Sequence, residues 1–599
     1  MIYHCEDHTC NYWDEGEKLP ERCPQCGRKL LRANEADMTG DDWTALGNTL
    51  WDAEASDKKR MVDCFRKAAY LGSAWGVCNL GICMEQGNGV EADPVQAFWL
   101  YQQAVEMGSL NAVCCLGVCY QYGIGTAPDA KQAAELYCKA AEYGSPRGQM
   151  LLARAFHDGI GVEADAAEVV YWVRAAAYQR YGEGMHRLGV CYEYGDGVEQ
   201  NWERAVHWFR EAAESGVGVA MTDLGYCYEK GCGVEQSWEQ AFSWYRRGAE
   251  CGDPVSMCNL GLCYQMGYGV EQNWQEAIKW YEQGAQCGDL QSMHNLGCCY
   301  EKGRGVEQSW EQAFSWYRRG AECGYPVSMS NLGLCYKRGY GVDQNWQEAI
   351  KWYEQGAQCG DLQCMHNLAC CYEHGEGVEQ NMTEAIRWYT AAAEGGNADD
   401  MYELGWQYDH GEGVEQDMKK AICWYERAAE QNHPAAMNSL GECYAMGRGV
   451  PRDLETAMEW YRRAAELGEA MADYNMGWHL EQAGKLSEAY AHYRKAADGN
   501  DDSAWWALGR FYENGVVVAQ DGKEARRCYE TGEKLGSVKC KMRLARCKLL
   551  GIGGRRAKKA GLDLCRQALE LAKESSEKED YGYEAEMNLL RRTIAENES

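Results

Sequence analysis

Between residues 43 and 550 the apolar positions keep helical spacing in short runs that come in pairs. Met257, Leu260, Gly261 and Tyr264 fall on one face of a first run. Ala277, Trp280, Tyr281 and Ala285 form the apolar face of a second. Gly267 stops the first run, because glycine accepts the left-handed conformation that closes a helix. Asn273-Trp-Gln-Glu276 opens the second as a capping box, with the Asn side chain accepting from the free amides and the Glu reaching back. Gly288 ends it. No window in this span shows the alternation of a strand, so the pattern predicts an all-α chain of helix pairs.

The pairs repeat. A Leu-Gly dipeptide puts its glycine at Gly81, Gly117, Gly189, Gly225, Gly261, Gly297, Gly333, Gly405 and Gly441, with Met476 before Gly477 at the next step, and Ala153 and Ala369 fill the two gaps, every step being 36 residues. A Gly-x-Gly-Val loop opens at Gly87 and returns every 36 residues to Gly447, with Thr126 replacing the valine once. A Trp-Tyr pair is the third beat, as at Trp244-Tyr245, Trp280-Tyr281 and Trp460-Tyr461. One helix pair cannot bury its own apolar face. Stacking on neighbours buries it, which predicts an α-solenoid. Residues 227–298 and 299–370 differ at 8 of 72 positions, the trace of a duplication.

Residues 437–468, MNSLGECYAMGRGVPRDLETAMEWYRRAAELG, carry all three beats. They resemble the Sel-1-like repeat, a relative of the tetratricopeptide repeat, and the resemblance spans about residues 41–550. It implies an alpha-alpha superhelix and an adaptor role in complex assembly, signalling or host interaction. The repeat solenoid is expected over 43–470. From Gly477 to Gly509 the step shortens to 32, and LEQAGKLSEAYAHYRKAA reads as a tetratricopeptide unit. Residues 471–599 are therefore expected to hold divergent TPR-like repeats and a helical cap.

Charge narrows the partners. The 599 residues carry a net charge of -31, which repels nucleic acid and anionic membranes in bulk and favours proteins with basic segments. No apolar run reaches the roughly 18 residues of a spanning helix. The first residues, MIYHCEDHTC, are polar, so no secretory signal is visible and a cytoplasmic location is expected. One stretch runs against the acidic trend: Lys534 to Lys559 holds ten Lys or Arg residues and no Asp or Glu. A solvated capping face and a docking surface for an acidic partner are its two readings.

Residues 1–32 carry Cys5, Cys10, Cys23 and Cys26, with Cys-Pro-Gln-Cys-Gly forming a metal knuckle. Four thiolates suit tetrahedral zinc, and a segment with little core would draw folding energy from the metal. The segment resembles a rubredoxin-like zinc ribbon, followed by a linker at 33–42. Structural zinc is expected; iron in the same cage would make an electron carrier. Nine further cysteines occupy one repeat position, Cys83, Cys119, Cys191, Cys227, Cys263, Cys299, Cys335, Cys371 and Cys443, where Ala155 also occurs. A site that takes Cys or Ala calls for a small buried group, so these are expected to be packing. The vicinal pairs Cys114-Cys115, Cys298-Cys299 and Cys370-Cys371 are expected to be packing as well.

No P-loop, H-E-x-x-H or G-x-S-x-G is present, so a non-enzymatic protein is expected. The sequence reading is a scaffold whose first helices line a concave face for extended peptide segments, with Lys230, Met266, Lys302, Arg338, His374 and His410 as a ladder of contacts. The alternative is a metal- or redox-responsive regulator using the four-cysteine site.

Overall fold

The computed structural model describes residues 2–5, 13–15, 30–32, 35–51, 55–578 and 584–598. The chain divides into two compact units, Met1–Ser309 and Trp310–Ser599. In the first, a small antiparallel sheet sets Ile2–Cys5 between Trp13–Glu15 and Leu30–Arg32, with Tyr3 opposite both Asp14 and Arg32. Everything described after Arg32 is helical or loop.

Every helix from Ala74–Gln86 to Val538–Leu550 has 13 residues. Their ends explain the uniform length. In the helix Pro254–Met266, Asp253 accepts from the Ser256 N–H at the start, and Gly267 ends it at φ +76° with its N–H on the Cys263 carbonyl. The second glycine of the loop, Gly269, is also left-handed, and a Cβ there would strike the Trp238 carbonyl at the start of the preceding repeat's second helix. The Gly-x-Gly loops are thus turns that press one repeat against the last.

At the second helix, Trp274–Gln286, Asn273 accepts from the Gln275 and Glu276 amides, as the capping box requires. The reciprocal half is absent. The Asn273 N–H instead donates to the Tyr264 carbonyl at 2.8 Å, tying the second helix to the end of the first. Asn201 and Tyr192 do the same in an earlier repeat, Asn381 and Tyr372 in a later one.

Within a repeat the two helices lock through one ring. A Cβ on Gly261 would lie 2.5 Å from Cε1 of Tyr281, so glycine is what admits the ring. Tyr281 is fully buried, and its hydroxyl donates to Gln265 Oε1 at 2.9 Å. Tyr101 and Glu85, Tyr245 and Glu229, and in the second unit Tyr389 and Glu373, repeat the arrangement. First helices of successive repeats also touch: Gly218–Lys230 meets Pro254–Met266 in the first unit, and Pro326–Arg338 meets Leu362–His374 in the second. The nine cysteines at the repeat position are all buried, as is Ala155.

The second unit ends in Lys558–Lys578 and Glu584–Glu598, where Cys565, Ala568, Met587 and Leu590 cover Met542, Ala545 and Leu549. No helix among the described residues is long and apolar enough to cross a membrane.

Candidate partner-binding face

The core of a first helix leaves a stripe outside it. In Pro254–Met266 the buried positions are Ser256, Met257, Cys258, Leu260, Gly261 and Cys263. Of the residues that remain, Val255, Asn259, Leu262 and Met266 are spaced as one helical face. First-helix residues of neighbouring repeats reach one another, at the equivalent position or one position on. Arg147 Nη1 donates to Asn111 Oδ1 at 2.7 Å, and His186 Nε2 lies 2.7 Å from Asp223 Oδ2. In the second unit Asn475 Nδ2 donates to Asn438 Oδ1 at 3.0 Å.

The six ladder residues form the last rung of this stripe. Each is the final residue of its helix, directly before a left-handed glycine, and each is exposed. In the first unit Lys230 pairs with Glu229 at 2.8 Å, and Met266 is 51% exposed. Lys302 ends the helix Leu290–Lys302. In the second unit Arg338 lines a cleft of about 290 Å³ with Lys337, Gln344, Trp346 and Glu376. His374 and His410 are pinned: their Nδ1–H groups donate to the Cys370 and Trp406 carbonyls at 3.0 and 2.9 Å, and His410 stacks on Trp406. The upper rungs of the stripe were missed in the sequence. They could have been found as the positions left over once the buried face was assigned.

One repeat departs from the plan. Val173 stands where its neighbours carry Tyr137 and Phe209, and Ala153 where they carry Gly117 and Gly189. The missing ring leaves a cavity of about 420 Å³ whose lining includes Arg147, Arg154, Arg187, His157, Asp158 and Glu183. Arg154 lies 3.5 Å from Asp158, and the His157 hydrogen bond at 2.7 Å holds that carboxyl below its usual range. Three arginines line it in a strongly acidic chain.

In the basic stretch from Lys534, Lys539, Arg543, Arg546 and Arg556 are engaged within the unit. Arg543 bonds Glu513 and Glu586, Arg546 bonds Glu513, and Arg556 bonds Asn597. Lys539 sits over the Trp506 ring, and burial pushes its ammonium pKa down. The Arg543–Glu586 and Arg556–Asn597 bonds hold the closing helix Glu584–Glu598 in place and favour the capping reading for these residues.

Of the proposed metal ligands, Cys5 lies in the first strand with its side chain undescribed, and Cys10, Cys23 and Cys26 fall outside the described residues. Among the described residues no group of three or more His, Cys, Asp or Glu is placed to hold a metal ion. The 28 cysteines from Cys64 onward are free thiols. In each vicinal pair the two side chains sit about 100° apart around the helix, so they diverge. Cys371 is fully buried while Cys370 is partly exposed.

The chain matches the Sel1 repeat in 13 segments, from 76–109 and 112–145 through 470–501 and 504–537. It is similar to c5321, a protective antigen of uropathogenic Escherichia coli described as having an SLR fold, at 32% identity and TM-score 0.50, over 75% of this chain and 97% of that one. A Sel1 repeat protein from Oxalobacter formigenes is 32% identical over 41% of this chain and 99% of its own, with TM-score 0.39. No curated protein matches significantly. With Sel1 matches over most of its length, and with the Gly–Tyr lock and Gly-x-Gly turn recurring along the helix pairs, the chain belongs to the Sel1 repeat family.

Proposed function

We propose that the protein is a non-enzymatic scaffold that binds extended segments of other proteins along its first-helix stripe. Sel1 repeats generally mediate contacts between proteins. The observation that carries the reading is the ladder position itself. It holds Tyr122, Tyr194, Met266 and Met446 at 59%, 73%, 51% and 61% exposure, large apolar groups left in water at the same place in several repeats. Large exposed side chains at a repeated position supply anchors for a chain laid across them. The net charge of -31 selects a segment with basic residues between its apolar ones and steers its approach. The arginine-lined cavity beside Ala153 takes an acidic side chain of the same segment. The N-terminal ribbon, with zinc on Cys5, Cys10, Cys23 and Cys26, serves as a structural module. Nucleic acid is not a partner in this reading.

The test is fluorescence anisotropy with labelled extended peptides of basic, neutral and acidic composition. Basic peptides with spaced aromatic residues bind, and binding weakens as salt rises. Tyr122→Ala, Tyr194→Ala and Met266→Ala together weaken binding at least tenfold. Trp99→Ala with Tyr171→Ala, exposed side chains on second helices, leaves it unchanged. Equal losses in the two variants, or preference for acidic peptides, would overturn the reading.

A further inference from the structure

The helix Leu362–His374 carries His366 and Cys370 one turn apart, so both side chains face the same side. His366 Nε2 lies 3.5 Å from Cys370 Sγ. The other ring nitrogen, Nδ1, lies 2.7 Å from Asp400 Oδ1, on the helix Ala398–His410 of the next repeat. Asp400 is 0% exposed, and its second oxygen, Oδ2, has no hydrogen-bond partner. Carboxylate, imidazole and sulfur stand in a line. From the second helix Tyr389 completes the surroundings, its hydroxyl donating to Glu373 Oε2 at 2.6 Å and lying 3.4 Å from the sulfur.

A bond of this kind from a buried carboxylate fixes the ring's tautomer and favours its charged form. The Asp400 hydrogen bond, then the Cys370 contact, push His366 up to about 10 against the opposing effect of burial. Burial pushes the Asp400 carboxyl up while His366 pulls it down. Glu373 and Glu403 add negative charge nearby, and Lys337 on the preceding first helix adds positive charge near Cys371. The carboxylates hold the ring protonated. Of the two groups in contact with the sulfur, the Tyr389 hydroxyl and the imidazolium, the imidazolium carries the positive charge, and its N–H stabilises a thiolate. Cys370 is partly exposed and lies on the first-helix stripe, between Asn367 and His374 in the helical register.

We propose that Asp400, His366 and Cys370 form a thiolate-activating triad, and that Cys370 is a modification site for small electrophiles, with peroxide as the natural class. The thiolate attacks one peroxide oxygen, forming the S–O bond as the O–O bond breaks. The departing hydroxide takes a proton from His366 Nε2, which regains it from solvent. The products are a sulfenic acid and water; the sulfur loses two electrons and the peroxide gains them.

The chain contains its own control. In the duplicated helix Leu290–Lys302, His294 Nε2 and Cys298 Sγ also lie 3.5 Å apart, and Cys298 is also partly exposed. The residue 34 positions after His294 is Ser328, whereas 34 positions after His366 stands Asp400. Burial pushes His294 down rather than up.

Full-length reduced protein is given limiting iodoacetamide at neutral pH, and each thiol is quantified by fragment-resolved mass spectrometry. Cys370 reacts at least tenfold faster than Cys298. Asp400→Ser, which installs the duplicate's own residue, brings it to the rate of Cys298, and so does His366→Gln. Peroxide followed by dimedone labels Cys370 ahead of Cys298. Equal rates for the two cysteines in the unmodified chain overturn the proposal without any variant. A fast Cys370 that ignores both substitutions also overturns it, because exposure alone then explains the rate.

Discussion

The helices Leu290–Lys302 and Leu362–His374 read LQSMHNLGCCYEK and LQCMHNLACCYEH, with the same His and Cys one turn apart. One histidine is pushed down by burial and the other up to about 10. His366 has a bond that His294 is not shown to make, to the buried Asp400 carboxylate on the following helix. In the sequence, the position 34 residues after His294 holds serine where the one after His366 holds that aspartate. In a repeat protein each unit is the environment of its neighbour, so duplicated text acquires different chemistry from changes next door.

The largest way to break this comparison is Asp400→Ser. Removing one partner of a buried pair costs about 3 kcal/mol, here at neutral pH. The pH dependence carries the sign. A histidine raised from 6.5 to about 10 contributes fully below 6.5, and the contribution is lost as pH climbs through 10. Urea unfolding of the native chain therefore shifts to lower midpoints between about pH 7 and about pH 10, and the variant loses that part of the slope. A variant with the same slope would place the titrating group elsewhere.

A smaller effect concerns one of the three differences between the two helices, Gly297 against Ala369. Glycine at this position makes room for the tyrosine ring, as at Gly261 and Tyr281. Gly261→Ala costs about 1–3 kcal/mol by overpacking against that ring. Ala369→Gly costs about 1 kcal/mol through backbone freedom alone. Thermal unfolding of the two variants ranks them. A reversed order would mean that the Ala369 repeat has rebuilt its packing around the methyl group.

Much of the architecture is legible in the text because its causes are local. The step of 36, the Gly267 stop, the Asn273 cap and the small-residue demand at Cys263 are each set within a few residues of the chain. The capping box was half legible: Asn273 follows the rule, but its N–H is claimed by Tyr264, a partner that exists only once the helices are antiparallel. The ladder residues were legible as exposed ends. The triad was not, since Asp400 and Cys370 lie on different helices, nor was the use of Arg543 and Arg546 to hold Glu513 and Glu586. The cavity beside Ala153 was present only as two exceptions, Ala153 and Val173, whose joint volume emerges from packing.

The smallest change is Tyr389→Phe, and it isolates which neighbour governs the sulfur. The hydroxyl makes one strong bond, to Glu373, and one weak contact, to Cys370. Its loss costs about 1 kcal/mol, because water can reach the partly exposed Glu373 carboxylate in its place. His366 keeps both of its contacts in this variant, so the alkylation rate of Cys370 changes by less than threefold and stays well above that of Cys298. If the rate instead falls to that of Cys298, the phenol rather than the imidazole sets the reactivity. The two histidines would then differ in charge without that difference reaching the thiols.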